Sequence, residues 1–157
     1  MLNSASSAFH NPVNKFVAKR AIAHSQALKV SFDFPGCRLS LNRGGGHIIN
    51  ITSSLVDNAN SNVPSVLASL TKGGLQSATK SLAIEYAADG IRVNAVSPGI
   101  IKTPMHPKDN HEALGALLPV GRMGEQSDVV DAVMYLEDAS FVTGEILHVD
   151  GGQSAGR

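Results

Sequence analysis

The sequence contains no tryptophan, and aromatic residues make up only 4% of its 157 residues. Aliphatic side chains and alanine must therefore fill the core, and a chain of this length can bury one such core. The single cysteine, Cys37, excludes an internal disulfide framework and favours a reducing compartment, so we expect a cytoplasmic protein. There is no secretory signal and no apolar run long enough to span a bilayer, so we expect no membrane association.

Charge is balanced overall, with 13 basic and 13 acidic residues, but it is unevenly distributed. Residues 1–46 hold six basic residues and one acidic residue, whereas the remainder holds seven basic and twelve acidic residues. The basic residues are scattered and lack interleaved aromatics, so we expect no nucleic-acid partner. Residues 1–45 are predicted to be an atypical basic leader, weakly helical or poorly ordered, with a weak amphipathic pattern at 14–30. A foreign leader and a transit peptide are both open interpretations of this segment.

From residue 46 onward, apolar strands alternate with helical patterns. Three apolar or β-branched stretches are predicted to be strands: residues 47–53, 91–99 and part of 141–152. Three stretches of helical periodicity are predicted to be helices: residues 64–88, 111–119 and 127–138. The alternation predicts an α/β domain over residues 46–157, with a parallel sheet and flanking helices.

The longest predicted helix has one stripe of mostly apolar residues at spacings of three or four. Its members are Leu67, Thr71, Leu75, Ala78, Leu82 and Tyr86. We expect this stripe to face the core, and we expect Gly90 to end the helix as a C-terminal cap. Ser127 is the predicted N-cap of the last helix.

Several motifs then resemble the C-terminal half of a short-chain dehydrogenase/reductase, from about Gly45 to Gly152. "GHIINITS" resembles the fifth strand of that family, with Asn50 at its structural asparagine and Ser53 at its catalytic serine. "TKGGLQSATKSLAIEYAADGIRVNAVSPG" resembles the following helix and sixth strand, with Lys72 at the catalytic lysine. "PGIIKTPM" resembles the loop over the nicotinamide, and "FVTGEILHVDGG" resembles the last strand.

The resemblance implies a partial Rossmann-like fold and hydride transfer between NAD or NADP and a small-molecule carbonyl or alcohol. In such a site a tyrosinate is the general acid/base, its pKa lowered by the lysine ammonium, and a serine holds the substrate oxygen. The resemblance assigns catalysis to Ser53 and Lys72, and cofactor binding to Lys72, Pro98, Gly99, Ile101 and Thr103, with no metal. It also implies a homo-oligomer, in which the helix of Lys72 packs against its mate and the last strand helps to build a tetramer.

The sequence departs from the family at two points. Ala68 occupies the tyrosine position, and the chain's other candidates are only Tyr86, about 27 Å along the helix at 1.5 Å per residue, and Tyr135. In addition, residues 1–46 show no strand, Gly-rich turn and helix that would hold a pyrophosphate. We therefore expect a truncated, impaired domain with weak or absent cofactor binding.

Plainer interpretations stand beside each assignment. Lys72 is also explained as a solvated helix lysine, and Ser53, like its hydroxyl neighbours Thr52 and Ser54, as a strand-end cap. Thr103 is equally explained as a simple loop residue. His106, Asp109 and His111 are better explained as solvated loop residues than as metal ligands, and His148 as a packed or edge histidine. Two functions follow: an impaired NAD(P)-dependent oxidoreductase, or a non-catalytic binding or oligomerisation module derived from its fold.

Overall fold

The computed structural model describes residues 45–59 and 63–156. The basic leader predicted over residues 1–45, and the weak helix at 14–30 within it, lie outside these residues except for Gly45.

Three parallel strands form the described sheet. They are β1 (Gly46–Ile51), β2 (Ile91–Pro98) and β3 (Ile146–Val149), in the order β1-β2-β3. The register pairs Gly46 with Ile91 and Ile51 with Val96, and it pairs Ala95 with Ile146. Parallel neighbours of this kind require long crossover connections, which here contain helices. The predicted α/β class and parallel sheet are confirmed.

The helices are α1 (Val66–Glu85), α2 (His111–Gly115) and α3 (Gln126–Asp138), and short 3-10 turns lie at Ser54–Val56, Ala87–Asp89 and Lys108–Asn110. The core is centred on β2, the middle strand of the described sheet, which packs against both neighbouring strands and against helices α1 and α3. Its side chains from Val93 to Ser97 are all buried, as are Ala83 of α1 and Leu136 of α3. Aliphatic side chains thus fill most of this core in place of aromatic ones, as the composition predicts.

The predicted core stripe of α1 is wrong at its amino end. Leu67 is 71% exposed, and Thr71 is exposed with its hydroxyl donating to the Leu67 carbonyl of its own helix. The fully buried α1 residues are Thr79 and Ala83. Each follows directly after a member of the predicted stripe, Ala78 or Leu82. The shift has a polar cause, because the Asn50 amide of β1 donates to the Thr79 hydroxyl at 2.9 Å and Thr79 must therefore face the sheet.

The predicted caps also need correction. Gly90 adopts a left-handed φ of +70° as expected, but it ends the 3-10 turn Ala87–Asp89, because α1 has already ended at Glu85. Ser127 is not the N-cap of α3. Glu125 is, and it forms a reciprocal capping box with Asp128 in which the Glu125 amide donates to the Asp128 carboxylate at 2.9 Å. A carboxylate pair satisfies two free amides, whereas one serine satisfies a single amide.

Candidate active site

Several of the residues singled out from the sequence lie at or just beyond the carboxyl ends of the strands. Ser53 follows β1, whereas Pro98 ends β2 and Gly99 follows it. Adjacent parallel strands place their carboxyl ends at the same sheet edge, where ligands bind in open α/β folds. The chain stays paired just past β1, because the Thr52 amide donates to the Val96 carbonyl at 2.8 Å.

Lys72 reaches this edge from α1. Its ammonium donates to the carbonyl of Ile51, the last residue of β1, at 2.9 Å. The Ile51 carbonyl is a backbone partner that sequence motifs do not identify, since any residue would supply it. The contact brings the ammonium to the carboxyl end of β1, and its assignment to catalysis or cofactor binding stays a prediction.

Ser53 is the half-buried member of three consecutive hydroxyl residues. The Thr52 hydroxyl is buried and donates to the Val96 carbonyl at 3.2 Å, and the buried Ser54 hydroxyl donates to the Gln153 side chain at 3.1 Å. The Ser53 hydroxyl accepts from the Leu55 amide at 3.3 Å and caps the turn Ser54–Val56. As an acceptor in this bond, it keeps its own proton available to donate.

Ala68 lies in the first turn of α1, four residues before Lys72, so the two share a helix face. Neither tyrosine can replace a phenol there. The Tyr86 carbonyl accepts from the Ile91 amide, and Tyr135 directly precedes Leu136, whose carbonyl accepts from Arg92. Both tyrosines thus lie near the start of β2. Ile51 lies level with a position five residues further along that strand, which is a distance of about 16 Å at 3.3 Å per residue. The site has a lysine and a serine but no phenol.

Gly99 makes the tight exit from β2 possible. Its amide donates to the Val149 carbonyl at 3.0 Å, and an added Cβ would lie 2.7 Å from the Asp150 Cα. Asp150 is buried and accepts from the amides of Gly152 and Ser154 and from the Ser154 hydroxyl. Burial alone would raise the pKa of Asp150, but the hydrogen bonds from Ser154 and Gly152 outweigh it and hold that pKa below its usual value. The turn beyond β3 is therefore built to abut Gly99.

The loop after β2 is fastened to the start of α3. Ile101 forms an isolated parallel bridge with Gly124, where the Lys102 amide donates to the Gly124 carbonyl at 2.9 Å. The Lys102 ammonium pairs with the Glu125 carboxylate. The Thr103 carbonyl then accepts from the His106 amide at 3.0 Å, which turns the chain. Sequence motifs identified Ile101 and Thr103 but not this connection, which joins residues more than twenty positions apart.

The histidines of the loop after β2 and of strand β3 bond to nearby groups. The His111 ring bonds to the His106 carbonyl at 3.0 Å, and His148 pairs with Asp57 at 3.1 Å. Within residues 45–59 and 63–156, no three His, Cys, Asp or Glu side chains are grouped so as to hold a metal ion. In the same part of the chain, no helix is both long and apolar enough to cross a membrane.

A family model described as enoyl-(acyl carrier protein) reductase matches residues 36–154, about three quarters of the chain. The chain belongs to the short-chain dehydrogenase/reductase family. It is 43% identical to cis-4-hydroxycyclohexanecarboxylate dehydrogenase of Sinomonas cyclohexanicum over 119 residues, which cover 71% of this chain and 46% of that protein. It is also 43% identical to mouse (Mus musculus) 3-oxoacyl-[acyl-carrier-protein] reductase over 110 residues, 69% of this chain and 45% of that protein.

Solved structures agree with this family assignment. The structure of ElxO with NADP bound superimposes with a TM-score of 0.71 at 30% identity, covering 77% of this chain and 51% of that one. The chain thus spans about half the length of the relatives it matches. The matched region contains every site residue named above.

Proposed function

We propose that this chain carries the substrate-facing half of an NAD(P)-dependent oxidoreductase site, and that its hydride transfer is impaired at position 68. The observation that carries the proposal is the pairing of a retained lysine with a lost tyrosine. The Lys72 ammonium lies 2.9 Å from the Ile51 carbonyl, at the carboxyl end of the sheet, where the family's substrates would react. Ala68, one helical turn earlier, offers only a methyl group.

The described residues fit one end of a nicotinamide dinucleotide. Lys72 supplies a cation at the end of β1, and the loop holding Ile101 and Thr103, which follows the neighbouring strand β2, is fastened to Gly124. These groups suit the nicotinamide and its ribose, and NADP is bound in the similar ElxO structure. They do not reach a pyrophosphate, so we expect the 157-residue chain to bind NAD(P)H more weakly than about 1 mM, or roughly −4 kcal/mol.

Ser53 and Lys72 have different roles in the proposed reaction. When bound, the nicotinamide supplies or accepts the hydride. The Ser53 hydroxyl, which accepts from Leu55 and keeps its proton to donate, orients the oxygen of a small carbonyl or alcohol substrate. Lys72 supplies positive charge beside that oxygen. No side chain at position 68 delivers the proton, and general acid/base catalysis by a positioned group is worth about 10²–10⁴-fold.

Restoring the phenol tests the proposal. We join residues 45–157 to an intact nucleotide-binding half from a relative and measure NADPH oxidation against a panel of small ketones. We expect Ala68→Tyr to raise the rate by about 10²-fold or more, and Lys72→Ala in the same background to remove the gain, because the ammonium lowers the phenol pKa. Equal rates with alanine and tyrosine at position 68, in a protein that binds cofactor normally, would refute the proposed role of Ala68.

A second candidate function is a non-catalytic oligomerisation module. It is favoured by the outer face of α1, where four large apolar side chains are 71% to 85% exposed: Val66, Leu67, Leu70 and Ile84. Small residues lie between them, and a Cβ added to Gly74 would meet nothing within 4 Å. A second copy of α1 would cover this face.

Light scattering after gel filtration distinguishes this module from a monomer. We expect Leu70→Glu to lower the mass of the assembly, whereas Glu112→Lys, an exposed charge change on α2, leaves it unchanged. A monomeric parent chain over a wide concentration range would remove the support for this candidate.

A further inference from the structure

A polar cluster lies at the opposite, amino end of the sheet and takes no part in the candidate active site. His47 of β1 has a side chain only 4% exposed, although it stands in an edge strand of the described sheet. Its Nδ1 lies 2.8 Å from the Glu137 carboxylate of α3. Its Nε2 lies 2.9 Å from the amide nitrogen of Asn94 and 3.4 Å from the guanidinium of Arg92, both on β2.

The neighbours of His47 determine which ring nitrogen carries the proton. The Asn94 amide is oriented by the backbone, because its oxygen accepts from the Glu145 amide at 3.0 Å and its nitrogen donates to the Val142 carbonyl at 2.9 Å. Nε2 therefore faces only donors and must accept. Nδ1 carries the hydrogen and donates it to Glu137. The geometry fits one tautomer of the neutral ring.

A protonated His47 would fit this place poorly. Its new Nε2–H would point at the donors of Asn94 and Arg92, and its charge would lie beside the Arg92 guanidinium. Glu137 favours the charged ring, but its side chain is 57% exposed, so water screens the attraction. Burial, with a smaller contribution from Arg92, lowers the pKa of His47 despite the opposing effect of Glu137. Among the described residues, Arg92 and Glu137 are the charged groups that act on this ring.

The same cluster fastens the end of α3. Arg92 donates to the carbonyls of Leu136 at 2.7 Å, Glu137 at 2.9 Å and Ala139 at 3.2 Å, and it also reaches the carbonyl of Val142 at 3.3 Å. The segment that leads from α3 to β3 is therefore held by the residues that surround His47.

We propose that His47, with Arg92, Asn94 and Glu137, forms a pH-sensitive latch that holds the carboxyl end of α3 on the sheet when the ring is neutral and releases it when the ring is protonated. Because the folded pKa lies below that of the unfolded chain, the latch contributes full stability above the usual histidine range, about 6.5. That contribution is lost as the pH falls through this range towards the lower folded pKa.

Urea denaturation of the full 157-residue chain at several pH values between 7.5 and 5 tests the latch. We expect the folding constant to fall with decreasing pH, with a slope of up to one proton. His47→Gln keeps one donor and one acceptor without titrating, so its curve should lose this slope. His148→Gln, which removes a histidine from a more exposed pair with Asp57, should keep it. A slope in His47→Gln as steep as in the parent would overturn the proposal.

A second measurement does not depend on any variant's folding. The ring nitrogen shifts of His47 in the parent chain should show the Nδ1–H tautomer at pH 7.5 and titrate below the usual histidine range. Hydrogen exchange of amides 136–145, corrected for intrinsic rates, should accelerate over the same pH interval. The opposite tautomer, or titration without faster exchange in that segment, would refute a latch.

Discussion

The two ends of the described sheet differ in how many hydrogen bonds tie their singled-out side chains to the rest of the fold. At the amino end, one arginine donates to four backbone carbonyls, and the buried Asn94 bonds through both its oxygen and its nitrogen. At the carboxyl end, Lys72 makes one contact to the Ile51 carbonyl and Ser53 accepts one amide. We expect the cluster around Arg92 chiefly to stabilise the fold, and we expect Lys72 and Ser53, unlike the fully bonded Asp150 near them, to be available for a ligand.

This difference agrees with the proposal that alanine replaces a catalytic tyrosine at position 68 without disturbing the fold. Under the proposed function a tyrosine at position 68 would act on the substrate, whereas the alanine methyl group found there can make no hydrogen bond. Replacing a group at the amino end, by contrast, leaves several buried partners unsatisfied, each at a cost of about 1–3 kcal/mol. Substitutions at the two ends should therefore separate stability from chemistry.

Arg92→Ala should have the largest effect on stability. It removes the donor for four backbone carbonyls near the end of α3, so we expect the free energy of unfolding to fall by about 3 kcal/mol in urea denaturation. Arg122→Ala is the matched control, because Arg122 is 60% exposed and bonded chiefly to Asp128. We expect no measurable change there. Similar losses of stability in both variants would show that the bonds of Arg92 stabilise the fold no more than the exposed pair of Arg122 does.

Thr79→Val should have the next largest effect. The substitution keeps the shape but leaves the Asn50 amide of β1 without its acceptor, so we expect a loss of about 1–3 kcal/mol. Thr71→Val on the exposed face of the same helix removes only bonds to the Leu67 and Ala68 carbonyls of its own helix and should stay within about 0.5 kcal/mol. If the two valine variants melt alike, Asn50 and Thr79 do not join the strand to α1 as described.

Glu125→Ala should cost about 1 kcal/mol, because it removes the Glu125 carboxylate from the capping box of α3 and from its exposed pair with Lys102. Ser127→Ala, at the N-cap predicted from sequence, should change stability by less than about 0.5 kcal/mol. Thermal denaturation of the two variants under the same conditions compares them directly. A larger loss of stability from Ser127→Ala would indicate that Ser127 and not Glu125 is the N-cap of α3.

Lys72→Met should have the smallest effect on stability. It removes a single hydrogen bond at the strand end and keeps the aliphatic stem, so we expect a change within about 0.5 kcal/mol. Circular dichroism and urea denaturation check this. A loss comparable to that of Arg92→Ala would mean that the carboxyl end is as structural as the amino end.

Local sequence motifs predicted the strands and helices better than the hydrogen bonds that connect them. The strands follow apolar β-branched runs, and Ser53, Lys72 and Ala68 are assigned by the resemblance of their surrounding motifs to those of the family. The stripe on α1 was misplaced because a hydrogen bond from Asn50, a residue far away in sequence, turns Thr79 inward. The Ile51 carbonyl and the surroundings of His47 were not foreseen, because they depend on backbone groups brought together only by the fold. The assignments of Ser53, Lys72 and Thr103 to catalysis or cofactor binding stay predictions.

The central claim is that a family fold here surrounds a site without its proton donor, and the rate of NADPH oxidation by the unmodified chain tests it most directly. With small ketones, and with Lys72→Ala measured in parallel, we predict rates near background for both proteins. Turnover at ordinary enzyme rates in the unmodified chain, abolished by Lys72→Ala, would contradict the claim and show that Ala68 is no defect.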